Sequence, residues 1–172
     1  MNWNEVFTYD LSSGILTWKP RLSGSAADKR FNTKTAGKVA GAVAAGKYNR
    51  PRGIAIGYRG KDFYAHRIVW EMHNGEIPIH MVIDHINGHA ADNRLTNLRL
   101  ATREQNYHNQ GISLKNTSGI KGVHFDNARG LWKSEIRAFN RVISLGRFKT
   151  KGMAAVARAK AALRYHGEFA RI

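Results

Sequence analysis

Val82-Ile83-Asp84-His85-Ile86-Asn87-Gly88, then Asp92-Asn93-Arg94-Leu95-Thr96-Asn97-Leu98-Arg99, then Thr102-Arg103-Glu104-Gln105-Asn106 form the stretch on which the reading of this chain turns. Pro78 starts an extended approach to Met81-Val82-Ile83, a short apolar run, and Asp84 to His89 read as strand end and loop. Asn97-Leu98-Arg99-Leu100 reads as a second short strand. Thr102 followed by Gln105 matches a capping box, so a helix begins there and carries Asn106. Strand, loop, strand and helix thus bring a carboxylate, an imidazole and two side-chain amides into one short segment.

Neighbouring side chains at a strand end point to opposite sides of the backbone, so Asp84 and His85 serve different partners. A hard divalent cation takes oxygen ligands such as a carboxylate and an amide. A neutral histidine acts as a general base. If the four elements pack on one another, Asp84 and Asn106 meet at one cation and His85 faces the substrate. Asn97 then either fixes the loop or orients the imidazole. Phosphodiester hydrolysis suits this set, because it needs an activated water, charge neutralisation on phosphate and help for the leaving oxygen.

Upstream, Ile68, Val69 and Met72 fall at helical spacing within Ala65 to Asn74, and Gly75 marks a stop. Ile54-Ala55-Ile56 and Lys61-Asp62-Phe63-Tyr64 flank a Gly57 to Gly60 turn. Val6 to Asp10 and Ile15 to Trp18 flank a Ser/Gly turn, and both pairs read as hairpins. Residues 21–53, rich in Gly, Ala, Lys and Arg, read as irregular. Downstream, 111–118 reads as a linker. Gly122 to Phe125, Leu131 to Phe139 and Val142 to Phe148 read as three strands, and Thr150 caps an Ala-rich helix that ends at Gly167. Lys133, Glu135 and Arg137 alternate with Trp132, Ser134, Ile136 and Ala138, giving one charged and one mostly apolar face. The small side chains of Ala154, Ala155, Ala157, Ala159, Ala161 and Ala162 let the helix lie close to the apolar face. The charged face is left for a DNA groove.

The 172 residues carry a formal net charge of +16. Residues 111–172 hold 13 Lys and Arg against 3 Asp and Glu. A basic excess spread over folded-looking sequence points to a polyanionic partner. With no cysteine, disulfides and thiolate zinc sites are excluded, and any metal must use oxygen or histidine. No apolar run reaches the roughly 20 residues of a membrane span, and the N-terminus lacks a signal-peptide pattern. A cytoplasmic setting is expected, that of a bacterial host cell if the chain is phage-encoded, with no membrane partner.

The motif from Val82 to Asn106 resembles that of the HNH endonucleases, most closely the phage and intron-encoded homing type. Ala65-His66-Arg67-Ile68-Val69-Trp70 and the Phe7-Thr8-Tyr9-Asp10 to Leu16-Thr17-Trp18 signature are similar to segments of the same group. The resemblance implies an α+β protein with a ββα-metal (His-Me finger) domain. It implies Asp84 and Asn106 as ligands of one divalent cation, Mg²⁺ or Mn²⁺, with no small-molecule cofactor. His85 is implied as general base and Asn97 as the residue that steadies the loop. Many family members have a histidine at the third position, where this chain has Asn106, a substitution familiar in the homing branch. His108, two residues further along the helix, points away from Asn106. For His66 three roles stay open, stacking under the motif, contact with DNA or assistance to the site, with packing the one favoured.

Gly122-Val123-His124-Phe125, Trp132 to Arg137, Leu145-Gly146-Arg147-Phe148 and Tyr165 to Ala170 resemble the APETALA/ethylene-response-factor DNA-binding domain, a three-stranded antiparallel sheet packed on one helix. Carried over by position, Lys121, His124, Glu135 and Arg137 contact double-stranded DNA, with Arg141 and Ser144. Lys133, Arg147, Arg67 and Arg99 are further candidates for DNA binding. His124 stands where an Arg is common in the family. The organisation expected is an N-terminal hairpin and basic segment (1–53), a nuclease domain (54–110), a linker (111–118) and a DNA-binding domain (119–172), acting as a monomer or weak dimer. The competing expectations are a non-catalytic, sequence-specific DNA-binding regulator with a degenerate nuclease domain and a basic RNA-binding protein.

Overall fold

A Ser/Gly turn between two β-prone runs makes the first hairpin of the computed structural model, which describes residues 1–44 and 53–172. The chain divides into two units, Met1–Thr102 and Arg103–Ile172. In the first, β1 (Phe7–Asp10) and β2 (Ile15–Trp18) pair antiparallel from Phe7↔Trp18 to Asp10↔Ile15. The Asp10 carboxylate closes the turn by accepting from the Ser12 amide at 2.8 Å and its hydroxyl at 2.7 Å. Helix α1 (Ala26–Lys34), the two-residue β3 (Ala42–Val43), β4 (Ile54–Tyr58), β5 (Lys61–Tyr64) and α2 (Ala65–Asn74) follow. Next come β6 (Met81–His85) and β7 (Leu98–Thr102), an isolated antiparallel pair.

The β4–β5 strands run further than Gly57, and the turn is Arg59-Gly60, both with positive φ, as a two-residue hairpin demands. Helix α2 buries Ala65, Ile68 and Val69, the stripe its spacing predicts, and stops at Gly75. Those residues join Trp3, Phe7, Leu16, Ile56, Ile83 and Leu98 in one core. Each fully buried Val, Leu, Ile or Phe contributes about 1.5–3 kcal/mol. This core anchors β6 and β7 through Ile83 and Leu98, next to Asp84 and His85.

The expectation of an irregular 21–53 is corrected by α1 and β3; residues 45–52 lie outside the described residues. Ser25 caps α1, its hydroxyl accepting from the Asp28 amide at 3.1 Å. The Asn32 side chain pairs with both the N–H and the C=O of Arg21 at 2.8 Å. Arg21 lies 3.8 Å over the Phe31 ring, which packs edge-on against Trp18. A cap and one aromatic anchor thus hold a helix of low amphipathicity.

The second unit starts with α3 (Arg103–Asn109), directly after Thr102. A three-stranded antiparallel sheet follows, with β9 (Leu131–Ala138) between β8 (Val123–Asp126) and β10 (Arg141–Phe148). Phe139 and Asn140, both at positive φ, make the β9–β10 turn. Helix α4 (Lys151–His166) is capped by Thr150 and lies on the inner face of the sheet. Ser134, Ile136 and Ala138 are buried there with Ala154, Ala161 and Ala162. The approach is close enough for the Ser134 hydroxyl to donate to the Ala154 carbonyl at 3.0 Å. Among the described residues no helix is long and apolar enough to cross a membrane.

Candidate active site

The register of β6 on β7 sets Asp84 opposite Arg99 and His85 opposite Leu98. Directly opposed side chains on one sheet face interact, and the Arg99 Nε donates to Asp84 Oδ2 at 2.9 Å. Both side chains are largely buried. Arg99, expected on DNA, is a partner of Asp84: its place opposite the carboxylate directs it inward.

His85 is buried at the end of β6, and its Nε2 lies 3.1 Å from Asn93 Oδ1. An amide oxygen only accepts, so Nε2 carries the hydrogen and the basic lone pair is on Nδ1. Asn93 is itself buried. Its carbonyl accepts from the Tyr9 hydroxyl at 3.1 Å, and the same hydroxyl accepts from the Leu95 amide at 2.9 Å. The β1–β2 hairpin therefore braces the residue that orients the imidazole. Gly14 makes that docking possible: at φ +75° its position leaves a built Cβ only 2.4 Å from the Arg94 nitrogen.

Asn97 pins the loop between the strands. Its Oδ1 accepts from the Asn87 amide at 3.0 Å, and its Nδ2 donates to Asn87 Oδ1 at 3.0 Å and to the Asp92 carbonyl at 2.8 Å. Of the two roles open to it, the geometry selects the loop brace; Asn93 orients the imidazole. Arg94 grips the Asp92 carboxylate with Nε at 2.8 Å and Nη2 at 2.6 Å. These bonds hold that carboxyl well below the usual carboxylate range.

His66, at the start of α2, stacks on Tyr64 with ring centroids 5.5 Å apart and meets the His85 ring edge-on at 5.1 Å. Its Nδ1 is buried without a hydrogen-bond partner. Burial, with the neighbouring His85 and Arg67, pushes its pKa down to about 3. Arg67 is exposed.

In the second unit Asn106 is half-buried on α3. Lys121, expected on DNA, forms a clamp on the chain itself. Its ammonium donates to the carbonyls of Tyr107 at 3.3 Å, His108 at 2.9 Å and Gln110 at 2.7 Å. Two of those carbonyls are in the last turn of α3 and the third, Gln110, lies just beyond its end, where a cation is favoured, and an ammonium has three donors. His108 stacks face to face on His166 at 3.6 Å; burial pushes both pKa values down. On the outer face of the sheet His124, Lys133 and Arg147 sit opposite one another across the three strands. Lys133 pairs with Glu135 at 2.6 Å and Arg147 with Asp126 at 3.0 Å. Arg137 and Arg141 are exposed.

A family model described as HNH endonuclease matches residues 63–108. Protein 3.8 of Escherichia phage T7 is 40% identical over 82 residues, which cover 45% of this chain and 68% of that protein. The chain is a homologue of that phage protein and carries an HNH endonuclease domain at residues 63–108. No solved structure matches it significantly. HNH endonucleases are nucleases that bind DNA, and the matched segment runs from the end of β5 through Asp84, His85, Asn97 and Asn106 to His108. It includes three side chains whose local roles the motif alone does not announce. Asn93 is legible in the sequence only as part of the family string. Arg99 looks there like another surface cation. His66 has no polar partner in sequence to suggest its place beside His85.

Proposed function

We propose that this HNH endonuclease is a divalent-metal-dependent DNA endonuclease in which His85 is the general base. The observation that carries the reading is the buried His85 imidazole, held by Asn93 through Nε2, one residue from the Asp84 carboxylate at the end of the same strand. The arrangement expected is the ββα-metal one. Asp84 and, from the resemblance, Asn106 would hold one Mg²⁺ or Mn²⁺.

The donor chemistry fits such a cation. Among the described residues no three His, Cys, Asp or Glu side chains gather as a metal set, so a zinc-type cage is not offered. A carboxylate and an amide are hard oxygen donors of the kind Mg²⁺ takes, with waters and substrate phosphate completing its shell. When bound, the cation supplies positive charge to the phosphate and to the departing 3′ oxygen.

The chain's own residues do the rest. His85 takes a proton from the attacking water at Nδ1. Asn93 fixes the tautomer, and Asn97 keeps the loop from shifting the imidazole. Arg99 holds the Asp84 carboxylate in one orientation. The outer face of the β8–β10 sheet, with His124, Lys133, Glu135, Arg137, Arg141 and Arg147, is proposed as the DNA-reading surface. Exposed Arg67 is proposed as a phosphate contact. The resemblance implies 5′-phosphate and 3′-hydroxyl products.

The test is cleavage of plasmid DNA in Mg²⁺ and in Mn²⁺ beside Asp84→Ala and His85→Ala. Wild type should nick or linearise, and each variant should lose about 10²–10⁴ in rate, the range for general base catalysis. Wild type and both variants equally inert over several metals and target sequences would leave a DNA-binding regulator as the reading.

A further inference from the structure

A histidine that only packs has no use for a nitrogen sealed from water. His66 Nδ1 is buried and has no hydrogen-bond partner. A buried polar atom left unsatisfied destabilises the fold relative to an apolar group of the same shape. A phenylalanine would stack on Tyr64 and meet the His85 edge equally well without that cost. Such a group is explained where the rest of the side chain does something a phenyl ring cannot.

The two ring nitrogens differ. Nδ1 faces the backbone: a Cβ built on Gly53 would lie 3.6 Å from it and 3.2 Å from the Ala90 carbonyl. An orphaned buried donor is rarer than an under-used acceptor, which assigns the lone pair to Nδ1 and the hydrogen to Nε2. The ring sits edge to face with the general base, 5.1 Å between centroids. It is uncharged throughout the range in which nucleases work, because burial holds its pKa near 3.

We propose that His66 is a further catalytic residue of this site, its Nε2–H donating a neutral hydrogen bond to a non-bridging oxygen of the scissile phosphate beside His85. This rests on the nuclease reading above. A donor aimed at phosphate stabilises the charge that builds as water attacks. A neutral donor does so without placing a second cation against an imidazole that must accept a proton. The Tyr64 stack holds the ring in one plane, so the donor is set before DNA arrives.

Three variants separate this role from packing. His66→Phe keeps the ring and removes both nitrogens. His66→Gln restores an N–H near the position of Nε2. His66→Ala removes the ring. With saturating plasmid in Mn²⁺, His66→Phe should lower kcat by about 10²-fold, the effect of deleting one such donor. Its KM for DNA should stay within about threefold, since the bond forms chiefly in the transition state. His66→Gln should recover about tenfold of the lost rate. Thermal melting supplies a second readout: His66→Phe should melt at or above the wild-type temperature, and His66→Ala below it. His66→Phe as fast as wild type would overturn the proposal, leaving packing as the role. His66→Gln as slow as His66→Phe with an unchanged melting temperature would also overturn it. Wild type inert beside Asp84→Ala and His85→Ala would instead remove the nuclease reading and the inference with it.

Discussion

The side chains around His85 divide one task among several residues. Asn93 sets which nitrogen is basic, Asn97 fixes the loop, Arg99 fixes the neighbouring carboxylate and His66 fixes the ring's edge. The weakest substitute exists for Asn93. Asn93→Ala leaves the buried Nε2–H of His85 without that acceptor, and the other tautomer becomes competitive. Activity should fall by about 10²-fold in kcat with KM nearly unchanged, within the span credited to general base catalysis. Nitrogen-resolved NMR of the His85 ring should report the tautomer change. An Asn93→Ala enzyme with wild-type kcat would dismiss Asn93 as the orienting group. His66 also bears on acid stability. Its pKa is about 3 in the folded protein against an ordinary 6.5, so between those values the unfolded chain binds a proton that the folded chain does not. The group's contribution to folding stability therefore falls as pH drops from 6.5 towards 3, as linkage requires. Denaturant unfolding across that window should show wild type losing stability faster than His66→Phe. Parallel pH profiles would contradict the burial of a neutral His66.

At the scale of elements, what the sequence discloses depends on how local the cause is. Helix α2 announces itself through Ile68 and Val69 on one face and Gly75 at its end. The β9–β10 hairpin does so through strict alternation on Lys133, Glu135 and Arg137. Both signals lie within a few residues, and both elements appear with nearly the expected bounds. Helix α1 escapes the sequence reading because little of its stability is local. The Ser25 cap is readable, but the Phe31 packing on Trp18 and the Asn32 bonds to Arg21 depend on chain that folds back. The bonds of Lys121 are hidden in the sequence for the same reason. In the string Lys121 is one basic residue before a strand, and only folding brings the carbonyls at the end of α3 to its ammonium. The site shows the same division. Asp84, His85, Asn97 and Asn106 stand out as candidates because their chemistry and the family motif set them in one short segment. The hold of Tyr9 on Asn93 spans 84 residues of sequence and leaves no periodic trace.

For the molecule as a whole, the question is how a chain of net charge +16 divides DNA binding from DNA cutting. Removing residues 119–172 is a poor test of that division. Helix α3, which carries Asn106, takes its C-terminal clamp from Lys121, the His108 ring stacks on His166, and the Arg171 guanidinium donates to the Asn109 carbonyl at 3.3 Å. Truncation would strip the helix of a proposed metal ligand together with the DNA-reading surface. Point changes on the outer face of the sheet avoid this. Arg137 and Arg141 are exposed and flank the β9–β10 turn; only the backbone carbonyl of Arg137, 2.9 Å from the His166 Nε2, touches that stack, and a change to Ala leaves it in place. For every phosphate that a variant no longer neutralises, the slope of log affinity against log salt should shrink by about 0.9. Arg137→Ala with Arg141→Ala should therefore weaken binding to duplex DNA and flatten that slope by about one to two. Fluorescence anisotropy across a salt series would read both, with Ca²⁺ in place of Mg²⁺ to suppress cutting. Cleavage at saturating DNA should stay within about threefold of wild type, because neither residue touches the reacting phosphate in this reading. An unchanged salt slope would remove the sheet face from the DNA interface, whereas an unchanged slope joined to a collapsed kcat would place these arginines in the chemistry instead.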